Sequence, residues 1–256
     1  MGTKVKDALA IMSRMDIQRL RQQVKALSPL DDPPVPGRAR HLRPHSPLGW
    51  LAPAALHEIE GASWDAETGA CASGFAAICL ARLGEEGMIV WAMQRDAPFA
   101  PALAARGLAP ERVIFARCRN DGETLAVVED ALRTKGIAAA LGEVSGVGLT
   151  ASRRLHLICE RMGNSGLLLR RPLHGKRGGK REGTASVTRW RVSFAPSATN
   201  EPGLGPPRFR LDLLYCRGGF LASWIMEWDD ETHHLRVVAK LAGDEGDALK
   251  SRAATG

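Results

Sequence analysis

The stretch Gly69-Ala70-Cys71-Ala72-Ser73-Gly74 has the Gly-x4-Gly spacing of a P-loop, between an apolar strand (Leu56–Glu60) and an Ala-rich helix. Backbone N–H groups at such a turn can cradle phosphate. A following Lys then reaches the outer phosphates, and a Ser or Thr hydroxyl holds Mg²⁺. Here Phe75 and Ala76 occupy those two places. An aromatic ring and a methyl group supply neither function, so the spacing of a nucleotide site is present without its chemistry. Glycines at a strand-to-helix turn also serve close packing, and the spacing alone leaves that reading open.

A second candidate lies downstream. From Arg170 to Arg191 there are eight Lys/Arg (Arg170, Arg171, Lys176, Arg177, Lys180, Arg181, Arg189, Arg191) against one acid, Glu182. The loop RPLHGKRGGKREGTAS, Arg171 to Ser186, combines glycines with five basic residues: Arg171, Lys176, Arg177, Lys180 and Arg181. Such side chains neutralise phosphates and release counterions, so backbone contact with DNA is the expectation, set against a merely solvated loop. No aromatic residue in the loop could stack a base. Other groupings carry less. His233-His234 beside Asp229-Asp230-Glu231 lacks metal-site spacing, Ser145 and Ser152 lack a convergent base, and His57 is expected in the core or at its edge.

These residues need a scaffold, and 256 residues suffice for one domain with appendages. The apolar share of 45% and charged share of 25% are ordinary for a globular chain. Net charge is +7, which favours an anionic partner. No apolar run approaches a membrane span and the N-terminus lacks a signal-peptide block, so cytoplasm is the expected compartment, with no membrane association. Cys71, Cys79, Cys118, Cys159 and Cys216 are scattered and form no CxxC pair, as buried thiols would be. No cofactor or metal is expected.

Residues 1–28 read as an amphipathic helix whose stripe, Ile17, Leu20, Val24 and Leu27, is a candidate partner-binding or self-association face unless it docks on its own domain. Residues 29–53 form a proline-rich linker, 54–242 the globular domain, and 243–256 a small, charged tail expected to be disordered. Within the domain, strands are expected at Met88–Ala92, Arg112–Ala116, Ile137–Val144 and Leu167–Leu169. Helices are expected at Pro101–Arg106, Glu123–Thr134 and Ala151–Met162. This alternation predicts an α/β fold with a parallel sheet covered by helices. After the basic loop the period becomes two, at Thr188–Phe194, Phe209–Tyr215, Leu221–Trp228 and Leu235–Ala239, which predicts C-terminal antiparallel strands.

A P-loop-shaped turn, parallel βα units, a basic loop and terminal antiparallel strands together resemble the RecA core over roughly residues 48–240. The resemblance is sharper to the bacterial ImuA family, the RecA-like accessory proteins of mutagenic lesion bypass. It is carried by LHEIEG, ASRRLHL, TRWRV after a basic loop, and RFRLDLLYCRGG before SWIMEW.

The resemblance implies further roles. RecA proteins place a catalytic glutamate after the second strand, where this chain has Gln94, and a Walker B aspartate near Glu143. With Gly69, Gly74, Phe75 and Ala76, these positions make a vestigial nucleotide site in a protein expected to be no enzyme. The implied function is a non-catalytic role in SOS-induced error-prone translesion synthesis. The implied partners are an ImuB-type polymerase homologue, an error-prone polymerase subunit, RecA itself and DNA. A DNA-dependent ATPase of the RecA type and a SulA-like cell-division inhibitor are the alternatives.

Overall fold

Apolar runs separated by helices must bury both faces of their sheet, and the computed structural model shows how this chain does so. It describes residues 49, 51–62, 65–84, 86–171, 183–197, 199, 205–217 and 221–243. The helix expected at 1–28, nearly all of the 29–53 linker and the tail beyond 243 lie outside the described residues. So do Lys176, Arg177, Lys180 and Arg181.

The strands are β1 (Leu56–Gly61), β2 (Met88–Met93), β3 (Val113–Arg117), β4 (Ile137–Val144), β5 (Ser165–Arg170), β6 (Thr188–Ala195), β7 (Arg208–Cys216), β8 (Ala222–Asp229) and β9 (His234–Gly243). The helices are α1 (Asp65–Leu83), α2 (Ala100–Ala104), α3 (Asp121–Leu132) and α4 (Leu149–Met162). The strands form one sheet in the order β3-β2-β4-β5-β1-β6-β7-β8-β9. Every pair from β3 to β6 is parallel, and every pair from β6 to β9 is antiparallel. The fold is therefore α/β, with a parallel core and C-terminal antiparallel strands, as the change of period predicts.

Local signals explain the boundaries. Asn120 caps α3 by accepting from the Glu123 N–H at 2.9 Å, with Asp121 and Glu123 complementing the helix dipole. Gly163, at φ 75°, ends α4 in the left-handed conformation and returns its N–H to Cys159. On one face α1 lays Phe75, Ala76 and Leu80 against Ile59, Leu169, Trp190 and Leu211. On the other, α3 and α4 bring Val128, Leu132, Leu155 and Cys159 onto Leu56, Ala140 and Leu168. The antiparallel strands extend the first core with Trp224, Met226 and Trp228, and the Trp228 indole donates to the Ala105 carbonyl at 2.8 Å. At Gly142 a Cβ would meet Val128 Cγ2 at 2.8 Å, so only glycine lets α3 lie this close to β4. All five cysteines are free, and burial pushes the Cys159 thiol up to about 12.

His57 is fully buried and knits β1 to β6. The Trp190 indole donates to Thr188 Oγ1 at 2.8 Å, and that hydroxyl lies 2.7 Å from His57 Nδ1. His57 Nε2 lies 2.8 Å from the Ala52 carbonyl, which can only accept, so the ring is protonated at Nε2 and takes the Thr188 hydroxyl at Nδ1. Burial lowers its pKa to about 4, outweighing the Ala52 bond that favours the charged form. The depressed pKa means that the unfolded chain binds a proton near pH 6.5 and the folded one does not until about pH 4. Stability is fully present above pH 6.5 and falls, on the order of 3 kcal/mol, as pH drops to 4. Urea denaturation at stepped pH should show this slope, and His57→Gln should flatten it.

Candidate functional site at the C-terminal edge of the sheet

In an open parallel sheet, side chains for chemistry gather where strands end and their connections part to opposite faces. Here β2 leads to α2 on the α1 side, and β4 leads to α4 on the opposite side. The adjoining strand ends bring together Gln94, Asp121, Glu143, Ser145 and Arg171, with Ser73 above them on α1.

The phosphate cradle expected at Gly69–Gly74 is not a loop, and this corrects the sequence reading. Helix α1 starts at Asp65, so both glycines lie within it. Ser73 donates to the Gly69 carbonyl at 2.7 Å, one turn back. Ala and Glu favour the helix, and an isolated interior glycine costs only about 1 kcal/mol against Ala. Only residues 62–64 remain to connect β1 with α1. Phe75 and Ala76 are fully buried, and the Phe75 ring lies 5.8 Å from Trp190. These two positions belong to the core, far from any role at a phosphate.

The carboxylates at the edge are also occupied. Asp121 accepts from Gln94 Nε2 at 2.6 Å, from the Ser145 N–H at 3.0 Å and from the Gly146 N–H at 3.3 Å, and it pairs with the Ser145 hydroxyl. Burial alone would raise its pKa, but the donors from Ser145, Gln94 and Gly146 outweigh it and hold the carboxyl below the usual range. Gln94 also donates to the Glu143 carbonyl at 3.3 Å, so its amide nitrogen is committed to two neighbouring acids. Glu143 takes the Trp91 indole N–H on Oε1 at 2.9 Å. On its other oxygen, Arg171 Nε lies 2.7 Å away, a contact of charges rather than an aligned hydrogen bond. Arg171 Nη2 then donates to Ser73 Oγ at 2.5 Å.

Arg171 is thereby corrected too. The basic run suggested a side chain facing DNA, whereas this guanidinium turns inward and bridges β4 to α1. It brings positive charge to the carboxylate that a metal ion would otherwise seek. Among the described residues, no group of three or more His, Cys, Asp or Glu could hold a metal. The cavity between Gln94, Asp121, Glu143 and Arg171 measures about 20 Å³. That is room for a water molecule and far too little for a phosphate chain.

A second charged cluster, missed from sequence, fixes the crossover from β5 to β6. Glu58 on β1 is fully buried and is held by Arg170 at 2.9 Å and Arg189 at 3.3 Å. The Thr184 hydroxyl donates to it at 2.8 Å, and Ala185 N–H donates to Ser152 Oγ on α4 at 3.1 Å. Glu60 pairs with Arg191 at 2.9 Å. Three of the eight bases in the basic run are thus spent on β1. The alternation of Glu58 and Glu60 along LHEIEG, opposite Arg189 and Arg191 in TRWRV, was the available signal. The histidine-acid group near His234 sits at the β8–β9 turn.

If Gly74 belongs to a helix and not a cradle, alanine is welcome there: the nearest atom to a new Cβ is Arg106 Nε at 3.7 Å. Gly74→Ala should stabilise the fold by about 0.5–1 kcal/mol. Phe75→Lys, burying an ammonium beside Trp190, should cost at least about 3–5 kcal/mol. Chemical denaturation of the two variants checks both signs.

Comparison with models of known protein families finds no match. Two curated relatives do match, each called "Protein ImuA", from Caulobacter vibrioides strains NA1000 / CB15N and ATCC 19089 / CIP 103742 / CB 15. Each is 42% identical over 207 residues, covering 77% of this chain and 85% of the relative. At that identity and coverage, the chain belongs to the ImuA family.

Proposed function

We propose that this protein is a non-catalytic, RecA-like accessory component of the ImuA/ImuB mutagenesis system, acting in SOS-induced error-prone translesion synthesis. One observation carries the non-catalytic part: the residues at the candidate nucleotide site are spent on one another. Glu143 is paired with Arg171, Asp121 is saturated by backbone and side-chain donors, and α1 fills the place of a cradle. Membership of the ImuA family supports the setting. By that resemblance, the partners are an ImuB-type polymerase homologue and an error-prone polymerase subunit.

DNA contact in this reading passes to Lys176, Arg177, Lys180 and Arg181. Arg171 is withdrawn from the set because its charge is committed to Glu143. The four bases supply charge without base readout, which suits a protein that must tolerate any damaged sequence.

Two measurements test the reading. Purified protein with single- or double-stranded DNA should release no phosphate from ATP above the background of a protein-free control. DNA-stimulated turnover would replace this proposal with the ATPase reading. Replacing Lys176, Arg177, Lys180 and Arg181 together by Ala should weaken oligonucleotide binding alike for all sequences. It should also flatten log K against log salt by about 0.7 per lost contact on single strands, or 0.9 on duplex. Equal binding by wild type and variant across salt would remove DNA from the proposal.

A further inference from the structure

Helix α4 satisfies its fold with one face and leaves the other unused. Ser152, Leu155, His156, Ile158 and Cys159 point inward and are buried. Leu149 and Leu157, two turns apart, are each 55% exposed. Between and beyond them stand Arg153 and Arg161, and Arg133 at the end of α3 and Arg154 close the rim. Together with Ile158 and Met162 they line an open groove of about 780 Å³.

The charge of this groove is one-sided. Glu129 is the carboxylate that faces it, pairing with Arg154 at 2.5 Å and also with Arg133. Glu160, the one acid of α4, lies 3.3 Å from His156. Among the described residues, no carboxylate pairs with Arg153 or Arg161. Two exposed leucines with an arginine between them are a poor solvent face, and a favourable site for an apolar stripe flanked by acids.

We propose that the α4 groove docks an acidic amphipathic helix of a partner protein. Apolar residues at three- and four-residue spacing would rest on Leu149 and Leu157, and carboxylates would meet Arg153 and Arg161. This does not depend on the DNA reading or on the nucleotide site. The chain's own N-terminal stretch is the wrong sign to fill the groove, since residues 1–28 carry Lys4, Lys6, Arg14, Arg19, Arg21 and Lys25 against Asp7 and Asp16. The tail, with Asp244, Glu245 and Asp247, has the right sign, but Leu249 is its one large apolar residue. A nucleic acid would use the arginines and leave the leucines without purpose.

The test is a display selection of random 14-residue peptides on the immobilised full chain, discarding clones retained by Leu157→Asp. Fluorescence anisotropy of the recovered peptides follows. The expected pool is rich in Asp and Glu, with apolar residues at helical spacing. Its members should bind the Arg153→Glu, Arg161→Glu double variant at least tenfold more weakly, while the thermal midpoint is unchanged and deletion of 244–256 has no effect. A pool no richer than that on Leu157→Asp, one without net negative charge, or equal affinity for the double variant would overturn the proposal. So would a tenfold gain on deleting the tail, which makes the tail the occupant, or displacement of the peptide by a duplex oligonucleotide.

Discussion

A carboxylate cut off from water joins the two halves of this sheet. Burying an ion costs several kcal/mol unless it is well paired, and breaking such a pair characteristically costs about 3–5 kcal/mol. Glu58 meets that demand with an arginine from each flanking strand, Arg170 of β5 and Arg189 of β6, and with the Thr184 hydroxyl. These partners can reach it only if β1 lies between β5 and β6 in the observed register. The placement of β6 then decides where the antiparallel strands attach. It also lets Trp190 come down onto Phe75 on the opposite face, because successive residues of a strand, here Arg189 and Trp190, point opposite ways.

The parallel half keeps the general form of a ligand-binding α/β sheet while its C-terminal edge is closed by the protein's own groups. Each potential ligand for a nucleotide or metal has an internal substitute: a guanidinium for the cation, backbone N–H groups for the donors to Asp121, and an aromatic core for the lysine. Fold and site are separable, since a sheet of this form does not by itself supply the groups that a ligand needs.

The sheet was legible from sequence because its signals were local and strong. Ile137–Val144 emerged with the expected ends, since it is bounded by Gly136 in the left-handed region and by Ser145-Gly146. The period-two runs likewise became β6 to β9. Helix α1 was misjudged because two glycines at a familiar spacing outweighed the Ala and Glu around them. Arg171 was misjudged because a run of like charges suggests one common surface, whereas its first and last members are recruited inward by Glu143, Glu58 and Glu60. Such recruitment joins residues more than a hundred positions apart in the case of Glu58 and Arg170, and no local pattern encodes it. Leu149 went unnoticed because the helix expected at Ala151–Met162 starts two residues earlier, at Leu149, and Leu157 because a single leucine in a helix does not by itself signal exposure.

The inward turn of Arg171 also sets a limit on geometry. Arg171 is anchored to Glu143 at one end, and Thr184 is anchored to Glu58 at the other. The described ends of the crossover from β5 to β6 thus start and finish against carboxylates of the parallel sheet, and replacing either acid frees one end while the other stays in place.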